Sequence, residues 1–143
     1  MIKGIDYTGI TVSFFCHDGK GNYVMHKRGV NCRDEHGCWN FGGGGVEFNE
    51  TLEASLLREV KEEYGVEPVS YQYLGFDEKF REHEGRPTHW IGFRFLVLVD
   101  RSKVINGEPE MHDEIGWFRM DNLPEPQHSQ DGRDIKKYKQ YLI

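Results

Sequence analysis

The chain has 143 residues, 24 acidic against 18 basic, for a formal net charge of -6, with 37% apolar and 13% aromatic residues. That length suits one domain spanning 1–143, and the apolar share suits a packed core rather than a disordered tail. The acidic balance argues against a nucleic-acid partner, and the longest apolar run, Phe95 to Val99, is far too short to span a bilayer. The start, MIKGIDYTGI, carries neither an apolar h-region nor a cleavage pattern. Cys16, Cys32 and Cys38 are an odd set without a CxxC pair, which fits a reducing, cytoplasmic setting better than a disulfide framework.

In chain order, Thr8 to Cys16 is β-branched and aromatic and predicts a strand. Asp18 to Asn22 predicts a turn, and Tyr23 to Arg28 a returning strand. Val30 to Gly37 is polar and predicts a loop. Trp39 to Phe41 is short and apolar, and the glycines at 42 to 45 predict a tight turn close to a ligand. Thr51 to Tyr64 carries the clearest helical pattern: Thr51 as N-cap, Gly65 as terminator, and Leu52, Leu56, Val60 and Tyr64 four residues apart. Two strands follow, Val69 to Phe80 and Thr88 to Asp100, with a charged loop from Arg81 to Pro87. Glu114 to Met120 predicts one more strand. Asp131 to Tyr141 predicts a terminal helix whose Ile135, Tyr138 and Leu142 share a face. Several strands with a central and a terminal helix make an α+β chain or an α/β/α sandwich.

The chemistry concentrates in GGGGVEFNETLEASLLREVKEEYGV, Gly42 to Val66. At about 100° per residue, Glu59, Glu62 and Glu63 fall within an arc of roughly 100° on one helix face. Leu56, Leu57, Val60 and Tyr64 fill the neighbouring arc and predict the face that packs on a sheet. Like charges at that spacing destabilise an isolated helix by a few tenths of a kcal/mol per pair, and a divalent cation reverses the sign. Surface helices are rich in Glu, so the three carboxylates alone also describe a solvated acidic face.

The surrounding letters decide between these readings. Gly44, Glu50, Arg58, Glu59, Val60, Glu62, Glu63, Gly65 and Val66 match G-x5-E-x7-R-E-U-x-E-E-x-G-U, with U aliphatic, at every defined position. With seven fixed letters, a chance match at a given start is below about one in 10^8. The segment resembles the box of the Nudix hydrolases, and the likeness runs from about Thr8 to Pro124. It includes the strand ending Lys27-Arg28 and the late Gly107-Glu108-Pro109 and Glu114 to Phe118 segments.

The resemblance implies a Nudix-type α/β/α sandwich with a mixed central sheet. It also implies metal-dependent hydrolysis of a pyrophosphate bond in a nucleoside diphosphate derivative. By this likeness Glu59, Glu62, Glu63 and the Gly43 carbonyl hold Mg2+, with Mn2+ as a substitute. Glu50 and Arg58 lock the loop to the helix, Gly65 closes it, and Gly44 approaches the substrate. The catalytic group is Glu59, Glu62 and Arg58, with Asp113 favoured over Glu110 and Glu114 as a further acid or base. Arg28 resembles a phosphate-contacting arginine, though a surface strand-end charge explains it as well. Two positions depart from the common pattern: Gly42 stands where many members have Pro, which implies a looser loop, and Asn49 where many have Gly. If position 49 requires positive φ, Asn is among the few residues that tolerate it.

The box does not identify the substrate. Trp39, Phe80 and Trp90 are candidates to stack on a base, and Arg81, His83, Arg86 and His89 to meet sugar or phosphate. Each aromatic is by type more often a core or half-buried strand residue. Chain length favours a (d)NTP cut to monophosphate and pyrophosphate; ADP-ribose or a sugar nucleotide is the alternative. A non-catalytic nucleotide-binding module is a rival that the intact carboxylates disfavour. A structural zinc site from Cys32, His36 and Cys38 is another, weakened by the absence of paired C-x2-4-C spacing. The expected partner is a small nucleotide, and a homodimer is compatible with the reading.

Overall fold

The computed structural model describes residues 1–142. Alternation along the first strand sets the architecture. In β1 (Gly9–His17), Val12, Phe14 and Cys16 are buried toward one face and Phe15 toward the other. β6 (Arg86–Leu98) lies parallel to β1 along its whole length, and β5 (Ser70–His83) pairs antiparallel outside β6. On the opposite side, the edge of β1 is shared. β2 (Tyr23–Arg28) meets it at His17, while β4 (Gly43–Gly45) pairs with Thr11 to Ser13. β3 (Trp39–Asn40) and β7 (His112–Phe118) both pair with β2. The result is a mixed sheet.

Helix α1 (Leu52–Tyr64) covers one face. Thr51 Oγ1 accepts from Ala54 N at 3.0 Å, and Gly65, at φ 70°, donates to the Lys61 carbonyl, so both ends are capped as the sequence predicts. Leu56, Val60 and Tyr64 are fully buried against Val12, Phe14 and Phe95, each stabilising the fold by roughly 1.5–3 kcal/mol. Leu57, expected on the same face, is 41% exposed; it lies about 100° round the helix from Leu56 and has turned to solvent. The other face is covered by α2 (Asp131–Lys137) and the 3-10 turn Lys139–Tyr141. Tyr138, with Ile135 and Leu142, packs there on Phe15, Met25 and Phe41. A sheet with one helix on each face is the expected α+β sandwich.

Two local readings need correction. The charged segment between β5 and β6 is no loop. The strands run on to His83 and from Arg86, joined only by Glu84 and Gly85, both at positive φ. A two-residue turn of this kind matches strand twist, and charged side chains on a solvent-facing strand concealed it. The four glycines are likewise not a turn, since Gly43–Gly45 form a strand. Gly42 is held at φ 144°, which proline cannot adopt, and its carbonyl accepts from Phe14 N at 3.2 Å. The loop is therefore built into the sheet rather than loosened. Asn49 sits at φ 66°, the left-handed conformation that asparagine tolerates.

Candidate active site

Arg58 organises the helix face. Its Nε and Nη2 grip both Glu50 oxygens at 2.8 and 2.9 Å, Nη2 also donates to the Gly45 carbonyl at 2.9 Å, and Nη1 reaches Glu59 Oε1 at 2.8 Å. Such a fork fixes the loop, the helix and one carboxylate in a single geometry. Hydrogen bonds from Arg58 hold the Glu50 carboxyl down at about 2, so Glu50 stays charged as an anchor. Gly44 then passes directly over Glu59: a Cβ there would lie 2.2 Å from the Glu59 carboxyl carbon. Only glycine fits.

The remaining carboxylates lean on one another. Glu63 is 4% exposed and accepts from Gly43 N at 3.0 Å; burial, then Glu59 and Glu108, pushes its carboxyl well up. Burial likewise raises Glu59, with Glu62 and Glu108 adding to it, and raises Glu108, with Glu62 next. Negative groups held together this way, with Arg58 already engaged by Glu50, favour a bound cation. The donor set is all oxygen, which suits Mg2+ or Mn2+, so the residues fit the metal that the box implies. Glu63 and Glu108 line a cavity of about 280 Å³ together with His26 and His112.

A second cavity, about 360 Å³, shares Arg28, Arg33, Asn40 and Gly43 with the first. Its far wall comes from β5, β6 and the start of α2. Arg94 donates to Asp134 Oδ2 and lies 4.3 Å over the Phe15 ring, with Lys79 Nζ 3.9 Å from the same oxygen. Gln130 Oε1 and Asp131 Oδ2 are buried without a hydrogen-bond partner. Burial pushes the Asp131 carboxyl up to about 7, against the pull of Arg94. Loop 29–38 is fastened beside this cavity: Glu35 accepts from Ser129 N at 2.8 Å, and its Oε2 lies 2.7 Å from His128 Nε2 and 3.5 Å from Arg81.

Glu50, Arg58, Glu59, Glu62, Glu63, Gly43 and Gly44 thus come together, as the sequence reading anticipates. Other candidates lie elsewhere. Trp39 is a core residue, 8% exposed and edge-on to Phe118, and lines neither cavity. Phe80 is 69% exposed and stacks on His89 outside both cavities. Asp113 is exposed beside Gly29; the acid that faces Glu62 and Glu63 is Glu108. The signal for it is Gly107, whose N–H donates to the Glu63 carbonyl at 2.9 Å and brings the chain against the helix. Arg28 lines both cavities, but Asp34 holds its guanidinium at 2.9 Å; Arg81 lines the larger cavity, as does Trp90. The cysteine cluster does not form, because Cys32 Sγ donates to the Met111 carbonyl and His36 Nε2 lies 2.6 Å from the Cys32 carbonyl. Sequence reasoning missed His26, His112, Lys79, Arg94 and Asp131, none of which belongs to a local pattern.

Comparison with known proteins agrees with this geometry. The sequence profile of the NUDIX domain matches residues 8–138. Among curated relatives, an ADP-ribose pyrophosphatase of Methanocaldococcus jannaschii is 36% identical over 92 residues, 62% of this chain and 50% of that protein. A CTP pyrophosphohydrolase of Escherichia coli is 39% identical over 56 residues, 39% of this chain and 40% of that protein. The matched segments therefore span half or less of these two relatives. Among solved structures, a MutT NUDIX hydrolase from Burkholderia pseudomallei superposes with a TM-score of 0.79 at 25% identity, covering 91% of this chain and 97% of that one. An intact box on its expected helix, within a sandwich matched over nearly its whole length, makes this chain a member of the Nudix family.

Proposed function

We propose that the chain hydrolyses a pyrophosphate bond of a nucleoside diphosphate derivative, with a (d)NTP cut to monophosphate and pyrophosphate as the favoured substrate. The observation that carries this reading is the adjacency of the two cavities, which share Arg28, Arg33, Asn40 and Gly43. The smaller offers Glu63 and Glu108 beside the carboxylate face of α1, suited to a cation and phosphates, and the larger a polar, partly apolar room of nucleoside size. When bound, Mg2+ or Mn2+ supplies Lewis-acid neutralisation of phosphate charge and activates water for attack. Glu59, Glu62, Glu63 and the Gly43 carbonyl would hold the ion, and Arg58 keeps Glu59 in place. Glu59 or Glu62 accepts the proton of the water that attacks phosphorus, the P–O–P bond breaks, and pyrophosphate departs. Glu108 supplies the further acid assigned to Asp113 on sequence grounds. Arg33, which lines both cavities, is positioned for the phosphates, and Trp90 and Asp131 for the base.

A second reading, ADP-ribose or a sugar nucleotide as substrate, draws on the 36% identity to the archaeal ADP-ribose pyrophosphatase. We assign the activity to the cytoplasm, a setting that three unpaired cysteines support; among the described residues no helix is long and apolar enough to cross a membrane. The test is product release across dNTPs, NTPs, ADP-ribose, sugar nucleotides and dinucleoside polyphosphates with Mg2+ or Mn2+. Pyrophosphate from a nucleoside triphosphate supports the first reading, AMP from ADP-ribose the second. No turnover of any member overturns both.

A further inference from the structure

The acidic helix is not the only set of metal-binding groups at this site. His26, Glu63 and His112 are 2%, 4% and 5% exposed, and one potential ligand atom from each lies within 4.8 Å of the other two. From these three side chains we infer a second cation site, selective for a divalent transition metal such as Zn2+ and distinct in chemistry from the all-oxygen cluster on the helix.

The hydrogen bonds fix how His26 can act. Tyr64 Oη donates to the Phe41 carbonyl, which can only accept, so the one hydroxyl proton is committed there. Tyr64 Oη lies 2.9 Å from His26 Nδ1 and must therefore accept from it. This places the His26 proton on Nδ1 and leaves the Nε2 lone pair free, the arrangement by which an outer hydrogen bond prepares a histidine to bind a metal. The second observation is independent: His112 Nδ1 is buried and has no hydrogen-bond partner. A buried imidazole nitrogen without a partner, on a residue clustered with a second imidazole and a buried carboxylate, is a costly arrangement without a cation. Two imidazoles and one carboxylate make the three-ligand set that suits Zn2+, whereas Mg2+ prefers oxygen donors.

The two rings stack at 3.7 Å with 15° between planes; Tyr64 holds His26, so it is His112, without a partner at Nδ1, that turns for the two lone pairs to converge on one ion. The adjoining cavity of about 280 Å³ gives it room. The site borrows Glu63 from the acidic cluster but does not depend on nucleotide hydrolysis.

Chelator-treated protein titrated with Zn2+ and followed by long-range 1H–15N correlation of the imidazoles tests the inference on the unmodified chain. One equivalent should shift a ring nitrogen of both His26 and His112, and excess Mg2+ should not. His112→Gln, checked for folding by its melting curve, should lower Zn2+ affinity by at least about tenfold while leaving Mg2+ affinity in place. Unmoved His26 and His112 nitrogens, or shifts confined to His128 beside Glu35, overturn the site, as does equal Zn2+ affinity in His112→Gln. Mg2+-dependent turnover, measured separately, stands or falls on its own.

Discussion

The carboxylate face of α1 and the larger cavity, which come together at Gly43, are assembled in different ways. The carboxylates Glu59, Glu62 and Glu63, with their anchors Glu50 and Arg58, come from one unbroken segment whose helix dictates where each points. The larger cavity draws Arg33 from a loop, Lys79, Trp90 and Arg94 from two strands, and Asp131 from the start of α2. A site built within one helix is written in local spacing, while a site built across the sheet depends on register and on which strands become neighbours. The first kind sets the chemistry in a family, and the second is free to set the substrate.

Substitutions on the helix face, in the larger cavity and at the two reassigned aromatics should separate these roles. The largest effect is expected at Glu62→Gln: kcat should fall roughly 10^2–10^4-fold, the range for a lost acid–base or charge-stabilising group, while the melting temperature stays near wild type because the side chain is 47% exposed. Trp39→Ala tests the reassignment of that residue to the core; calorimetry should show a loss of roughly 3–5 kcal/mol of stability, with KM little changed in the protein that remains folded.

Asp131→Asn probes the larger cavity through pH. The Asp131 carboxyl titrates at about 7 when folded and near 3.8 otherwise, so the folded state binds the extra proton between those values. Stability from this group is present at low pH and is lost as pH rises toward 7. The neutral Asn should remove that loss, making the variant more stable relative to wild type by roughly 2–3 kcal/mol at pH 8 than at pH 5. Equal pH dependence of the two melting temperatures would show that Asp131 is not held protonated. Phe80→Ala should do least, within about 0.5 kcal/mol in stability and with unchanged KM, since its ring faces solvent and His89. A large rise in KM there would return Phe80 to the substrate site.

The same contrast explains what was legible in the sequence. The helix from Leu52 to Tyr64, both of its caps and the β1–β2 hairpin follow from short-range rules, and the structure has them where those rules put them. Asn49 was legible for the same reason, because its φ of 66° is a local property. Trp39 and Phe80 were not: residue type fits either a core or a stacking role, and only the neighbours decide. Trp39 gained Phe118 from β7, distant in sequence but paired with the same strand β2, and Phe80 was left on the outer strand. Glu108 displaced Asp113 because Gly107 docks on the end of α1, a contact that spacing along the chain does not reveal. The pairing of His26 with His112 depends on the antiparallel register of β2 with β7.

The most direct measurement is a crystal structure with Mn2+ and a nucleotide whose scissile bridging oxygen is replaced by methylene, using the anomalous signal to locate the metal. Manganese is expected among Glu59, Glu62 and Glu63, with phosphates against it across Gly43 and the base in the cavity bounded by Trp90 and Asp131. Manganese absent from those carboxylates, with the nucleotide bound away from Gly43, would contradict this assignment.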